Sequence, residues 1–384
     1  MLQEQIFVRT FSASCSIFTE KPPAWPGMSL NTRFKKKHLL LALFLSCIFI
    51  SLQRRPFFRL LGTGKKCNIT ILLWYWPFNI PYSLEDDVCL KNYSIAGCCL
   101  VDNRNLYSSA DIVIFHQHEL KLGSQKLPLH LPRPLHQRWL WLSLEAPKNN
   151  RDLKEHAGFF NLTMSYHPGA DIMIPYGKLE EKDNKTSMPF VMAENKTHLV
   201  CWVVSNYKNH HRRTKVYKEL SKLVPVQVYG RAVRKPVNQG ALLPTISRCY
   251  FYLAFENTEC PHYITEKLWR NSFMAGTVPI VLGPPRSHYE AVAPPHSFIH
   301  VDDFDSIASL ARFLTELAKD VRLYKSYFSW HEKYTVKLYT DWRERLCNIC
   351  DSYYKLPYHK IYHDFGHDLD VALKRNVTNA SRYS

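Results

Sequence analysis

Apolar runs recur along this chain, each closed by a polar, proline or glycine segment. They are Asn68–Trp76 (NITILLWYW), Ala110–Phe115, Arg138–Leu144 (RWLWLSL), Leu162–Tyr166, Asp171–Pro175, Leu199–Asn206 (LVCWVVSN), Val224–Gly230, Tyr250–Phe255, Val278–Leu282 and Ser297–Val301. Most are predominantly apolar, which predicts buried strands of parallel sheets. Helical spacing appears between them. Leu268, Trp269, Ser272, Phe273 and Ala275 lie on one face of a helix that Thr265 would cap and Gly276 would end. Ser306–Leu317 reads as an amphipathic helix, with Asp305 as its expected cap. Strand, helix and strand from Tyr250 to Gly283 form a βαβ unit, so its loops should carry function.

A chain of 384 residues, 46% hydrophobic, exceeds the usual size of one core, and two α/β domains are expected. The formal charge is +17, which favours anionic partners. There is no polybasic tail or nucleic-acid motif, and secretory features argue against nucleic acid. Much of the excess can equally be a solvated basic surface.

Leu39–Leu52 is continuously apolar, yet shorter than the ~20 residues that span an average bilayer. A core helix and a signal-peptide core are the alternatives. Arg33, Lys35, Lys36 and Lys37 precede it, and Gln53, Arg54 and Arg55 follow in place of a small-residue cleavage site. The reading is an uncleaved signal-anchor of a single-pass type II Golgi membrane protein with a lumenal catalytic part. The expected divisions are a cytoplasmic tail at 1–38, the anchor at 39–52, a stem at 53–66, a first domain at 67–195, a second at 196–345, and a return segment and tail at 346–384. Lys178–Lys196 reads as the interdomain linker. Met28 offers an alternative start. Asn-x-Ser/Thr sequons at Asn68, Asn92, Asn161, Asn184, Asn195, Asn376 and Asn379 all follow the anchor, as a lumenal chain requires.

There are 11 cysteines, nine of them beyond the anchor, where disulfides are the default. Cys347-Asn-Ile-Cys350 has the spacing of half a zinc site or a redox pair, but no matching partner motif is evident. A local Cys347–Cys350 bridge remains open.

The chemistry concentrates after Phe255. Glu256, Asn257, Tyr263, Glu266 and Lys267 gather where a strand's carboxyl end meets a helix N-terminus, a place suited to an anion. A capped helix with adjacent charges is the plain alternative. The run FEN followed by YITEKLWRNSFMAGTVPIVLGPPR resembles the donor-site signature of the α1,3-fucosyltransferases of glycosyltransferase family 10, and the resemblance extends over Ile69–Asp364. It implies the GT-B arrangement, two Rossmann-like domains facing a central cleft, with GDP-fucose as donor and inversion at the fucose carbon.

Inverting transfer needs one general base to deprotonate the acceptor hydroxyl, and positive charge to stabilise the departing GDP. WLWLSLEAP resembles the family segment that holds the catalytic carboxylate, which makes Glu145 the base. As sequence alone it is also an ordinary loop carboxylate. Arg213 and Lys267 are the expected partners of the diphosphate, with Arg212 leaving the register one residue open. Tyr176, Ser205, Asn206, Tyr252, Asn257, Tyr263 and Glu266 match other donor positions, and Tyr252 reads equally as strand core. His116, Gln117, His118 and Glu119 replace the family's acceptor-region His-His-Arg/Trp-Asp/Glu run; the missing Trp leans towards 1,3 linkage. The resemblance also implies the disulfides Cys89–Cys347, Cys98–Cys350 and Cys201–Cys249, leaving Cys67, Cys99 and Cys260 over.

No metal or cofactor is required by the family fold, although Mn²⁺ stimulates some members. Asp303-Phe-Asp305 and Asp368-Leu-Asp370 have the Asp-x-Asp pattern of metal-dependent relatives. VDDF, TDWRER, CNIC and LPYHKIYHD resemble the leukocyte-type branch, which implies α1,3 transfer to GlcNAc in sialylated type 2 lactosamine on glycoproteins and glycolipids. Transfer to neutral lactosamine is the first alternative, and a non-catalytic membrane-anchored glycan-binding relative the second. A homodimer is left open.

Overall fold

A computed structural model describes residues 67–150, 153–183 and 196–365. The anchor segment, the stem, the pair Asp368 and Asp370, and the sequons at Asn184, Asn195, Asn376 and Asn379 lie outside the described residues. Among those described, no helix is long and apolar enough to cross a membrane.

The apolar runs form two parallel sheets. The first contains β1 (Ile69–Leu73), β2 (Cys98–Val101), β3 (Ile112–His116), β4 (Arg138–Leu142), β5 (Leu162–Ser165) and β6 (Ile172–Met173), in the order β2-β1-β3-β4-β5-β6. β7 (Gly177–Glu181) lies outside it. The second contains β8 (His198–Val203), β9 (Val226–Tyr229), β10 (Cys249–Phe255), β11 (Val278–Leu282) and β12 (Ile299–His300), in the order β12-β11-β10-β8-β9. Both sheets follow one scheme, and in each the strand order reverses between the first and third strands. That reversal opens a crevice at the carboxyl ends of the strands. β3 and β4 are buried at every residue, as both-face coverage demands.

Three expectations change. The segment taken as a linker starts as a strand, because β7 pairs antiparallel with β13 (Tyr334–Leu338). This pair lies over the helix that follows β10, and Gly177 is required there: a Cβ would come within 2.7 Å of the Trp269 ring. That helix is one α-turn, Glu266–Leu268, running into a π-helical turn, Trp269–Met274. Thr265 does not cap it with its side chain, since its hydroxyl is taken by Glu256. Asp305 is not the cap of the helix Ile307–Lys319 either. Ser306 holds that position, in a reciprocal pair with Ser309.

The chain returns to the first sheet through the helices Trp342–Cys347 and Ile349–Ser352, which bury Trp342, Leu346 and Ile349 in its core. Disulfides Cys89–Cys347 and Cys98–Cys350 tie this segment down, and Cys201–Cys249 joins β8 to the start of β10. Cys67 and Cys99 are not left over: they form a fourth bridge. The local Cys347–Cys350 bridge is not formed. Cys260 stands outside the four disulfides, with its Sγ 3.8 Å from Tyr166 Oη.

Two aromatic contacts join the halves. Tyr263, from the loop after β10, is fully buried in the core of the first sheet, 5.1 Å from the Tyr166 ring. His167, just beyond β5, packs edge-on against His262 at 4.7 Å, and His262 against His288 at 4.1 Å. Burial and mutual proximity push His167 down to about 3; burial and His288 push His262 down to about 4; burial also lowers His288.

Asn161 does not suit a glycan on the folded chain. Its Oδ1 accepts the Trp139 amide at 2.9 Å, and its Nδ2 donates to the Lys360 carbonyl at 2.9 Å. Asn68 and Asn92 are exposed.

Two outcomes are expected. Glycopeptide mapping after secretory expression should find Asn161 unmodified, and an occupied Asn161 in folded protein overturns the packing described here. The histidine trio should also make the fold acid-sensitive. Its folded pKa values lie below the ordinary value near 6.5, so the unfolded state binds protons first and stability falls as pH drops from about 6.5 through about 4. Melting temperature measured over that range should fall less steeply in a His262→Asn/His288→Gln variant; Asn tolerates the positive φ of 60° at position 262. An unchanged slope removes the trio from this role.

Candidate active site

The carboxyl end of β10 builds one half of the site. Glu256 follows the strand directly, is buried, and is held by its amide to the Leu282 carbonyl at 2.7 Å. Gly283 leaves room for it, since a Cβ there would meet Glu256 Cγ at 2.9 Å. The Glu256 carboxylate accepts the Thr265 amide at 2.8 Å, the Thr265 hydroxyl at 2.9 Å and Lys267 Nζ at 2.9 Å. Lys267 also donates to Thr265 Oγ1 at 2.7 Å and to Glu266 at 3.2 Å. Burial opposes its charge, but Glu256 and Glu266 outweigh burial and hold the ammonium above its ordinary value. Burial likewise opposes the Glu266 charge, but positive groups led by Lys267 and including Arg270 together outweigh it and keep that carboxyl below its ordinary value. Glu266 Oε2 is buried and takes no hydrogen bond, so a ligand hydroxyl is its natural donor.

Arg213 lies across the crevice between β8 and β10. It sits on the first turn of the helix Arg212–Leu220. Successive residues on a helix point about 100° apart, and this resolves the register. Arg212 faces outward to Glu259 and Asp302, whereas Arg213 is buried, bonded to the carbonyls of Phe255 and Asn206 and to the Asn257 side chain. Its Nε has no partner, and burial lowers its pKa. Two buried cations at this crevice therefore differ in kind. Lys267 is neutralised by its neighbours, whereas among the described residues Arg213 meets no carboxylate in direct contact, which leaves its charge for an anion. Ser205 is exposed beside Asn206. Tyr252 is not at the surface of the site: it is fully buried in β10, its hydroxyl accepts from Asn271 at 3.1 Å, and burial pushes it up to about 12.

The first sheet supplies the facing half. Glu145 lies past the end of β4, partly exposed. Its Oε2 accepts from Asn149 Nδ2 at 3.0 Å. Before it, Trp139 and Trp141 pack on one face of the sheet and Leu144 on the other. The Leu144 carbonyl accepts the Tyr176 hydroxyl at 2.6 Å, and Tyr176 packs edge-on against Tyr263 at 6.2 Å. Glu145 thus sits beside the same tyrosines that lead to Glu266 and Lys267.

The run His116–Glu119 separates by role. Glu119 is buried, accepts from the Phe78 amide at 2.6 Å and meets His116 Nδ1 at 2.6 Å. Gln117 is bonded to Trp141 Nε1 and to the Asn150 carbonyl, both at 2.8 Å. These three are framework. Only His118 opens towards the site, 4.9 Å from the Phe78 ring. Burial and His116 lower its pKa, with Glu119 and Glu145 opposing.

Sequence reasoning missed several residues. Phe78 holds a positive φ of 58° at the crevice between β1 and β3 and packs against His116, His118 and Trp342. Its signal was the end of an apolar run. Trp342 had no local signal, since the return of the chain brings it there. Behind it, the Arg345 guanidinium lies 4.7 Å from its ring centroid, and burial pushes that group down to about 10. Asp303 is engaged by Arg286. Among the described residues, no group of three His, Cys, Asp or Glu side chains is placed to hold a metal ion.

Two family models match in succession. Residues 66–177 match the N-terminal fucosyltransferase model, and residues 193–367 match the C-terminal model of glycosyltransferase family 10 (fucosyltransferase). The chain is 45% identical over 296 residues to bovine alpha-(1,3)-fucosyltransferase 7, covering 77% of this chain and 84% of that one. Its identity to the human protein of that name is 44% over 298 residues, covering 77% and 85%. Bovine 4-galactosyl-N-acetylglucosaminide 3-alpha-L-fucosyltransferase 9 is 43% identical over 290 residues, covering 75% and 79%. On this evidence the chain belongs to glycosyltransferase family 10, the fucosyltransferases.

Proposed function

We propose that this enzyme is an inverting α1,3-fucosyltransferase that moves L-fucose from GDP-fucose to O3 of GlcNAc in sialylated type 2 N-acetyllactosamine. The products are sialyl Lewis x-type glycans on glycoproteins and glycolipids. The observation that carries the reading is the placement of the Glu145 carboxylate past the end of β4 and of the buried cation Arg213 at the end of β10, both at strand carboxyl ends where parallel sheets bind ligands.

In this mechanism Glu145 accepts the proton of the acceptor O3–H as that oxygen bonds to fucose C1. The bond from C1 to the β-phosphate oxygen breaks, and its electron pair leaves with GDP. Arg213, with Lys267 behind it, stabilises the charge that grows on the diphosphate. Glu266 accepts a sugar hydroxyl through Oε2, and Tyr263 and Tyr176 line the path between the halves. Glu145 then returns its proton to solvent.

Basic groups near Glu145 support an anionic acceptor. Lys121 donates to the Asn149 carbonyl. Lys148, with Arg213, His210 and Lys208, adds to burial in lowering the pKa of His211. His118 favours the neutral lactosamine instead, because burial keeps it uncharged. The apolar run at 39–52 and its preceding basic residues support a signal-anchored Golgi location.

The full chain, supplied with GDP-fucose and with sialylated or neutral type 2 lactosamine, with and without Mn²⁺, is expected to fucosylate the sialylated acceptor preferentially. Product sequencing decides this, and transfer only to the neutral acceptor moves the enzyme to that specificity. Glu145→Gln is expected to reduce kcat by about 10²–10⁴-fold while GDP binding, measured by calorimetry, stays within a few-fold. Loss of GDP binding, or retained turnover, removes Glu145 as the base.

A further inference from the structure

We propose that Asn149 is the positioning residue of the base: it fixes the Glu145 carboxylate and leaves one oxygen for the acceptor proton. This rests on the reading of Glu145 as the base. Asn149 Nδ2 donates to Glu145 Oε2 at 3.0 Å, and among the described residues Oε1 has no donor. A base needs one open lone pair in a fixed direction, and this division of the two oxygens provides it.

The turn behind the contact is rigid. Pro147 opens the 3₁₀ turn Pro147–Asn149, with its φ already set. The Asn149 amide closes on the Ala146 carbonyl at 2.8 Å, and the Asn150 amide on the Pro147 carbonyl at 2.9 Å. Asn150 is buried and pinned from two sides: its Oδ1 accepts the Ser143 hydroxyl at 2.8 Å, and its carbonyl accepts Gln117 Nε2 at 2.8 Å. The same Ser143 oxygen accepts the Glu145 amide at 3.2 Å. Lys121 donates to the Asn149 carbonyl. Gln117, bonded also to Trp141 on β4, links this turn to the run His116–Glu119. That run therefore serves the base as well as the acceptor wall. An N–H aimed at a carboxylate favours its charged form, and charge-assisted bonds of this type are about twice as strong as neutral ones.

The test is the pH dependence of kcat and kcat/KM in the full-length enzyme. Asn149→Ala should lower kcat by about 10–100-fold, move both substrate KM values by less than about threefold, and shift the acid limb up by about one pH unit. Asn149→His should recover most of the rate, because Nδ1–H stands as many bonds from Cα as the amide N–H does. Asn149→Asp removes the donor and adds a like charge, so its acid limb should rise further. An unmoved acid limb with unchanged kcat overturns the proposal, as does a loss confined to the donor KM. Should Asn149→Ala fail to fold, the opposite effects of His and Asp decide the matter. Glu145→Gln in the same series separates the two claims. If it abolishes turnover while Asn149→Ala leaves the profile unmoved, only the positioning role fails; if it retains turnover, the base reading fails first.

Discussion

Tyr263 leaves the loop after β10 and is buried in the core of the other sheet, against Tyr166 and beside Tyr176, whose hydroxyl holds the Leu144 carbonyl. The site depends on this insertion. Glu256, Thr265, Glu266 and Lys267 flank it on one side in sequence, and Glu145 follows Leu144 on the other. Fully burying a large apolar side chain contributes about 1.5–3 kcal/mol, and this contact adds to the two disulfides that tie the returning chain to the first sheet. The histidine trio adds a second contact across the same junction, one that holds while its members stay neutral.

The electrostatics follow from burial. Glu256 sits in a space that Gly283 leaves open, and its charge is acceptable there because two donors on Thr265 and the Lys267 ammonium satisfy it. Lys267 is thereby held charged and in place, but with its hydrogen bonds engaged. Arg213 differs. Carbonyls and an amide orient it, and among the described residues no carboxylate touches it and its Nε has no partner. A ligand diphosphate would supply the missing negative charge.

The acceptor half shows a parallel division of labour. Glu119 fixes the Phe78 amide and His116, and Gln117 fixes the turn that carries Asn149 and Glu145. Residues that sequence reasoning grouped as acceptor contacts are mostly the frame that aims a smaller set: Phe78, His118 and Trp342. A change in the buried members of that run would therefore be felt at Glu145.

Local apolar content was enough to place the strands, because a strand buried on both faces is predominantly apolar, as β3, β4 and β10 are apart from the terminal His116 and Arg138. Polar residues at the carboxyl ends of those strands were enough to mark Glu145, Glu256, Asn257 and Lys267 as candidates, since parallel sheets present ligands there. What sequence could not assign was direction. Arg212 and Arg213 are equal as letters and differ only in the way the helix turns them; Tyr252 and Tyr263 are both buried, one in its own strand and one in the opposite core. The disulfide between Cys67 and Cys99, the π-helical turn over Gly177, the buried amide of Asn161 and the arrival of Trp342 beside Phe78 depend on segments far apart in the chain packing together. Periodicity reports whether a residue is buried. Which surface buries it is decided only when the tertiary fold brings that surface to it.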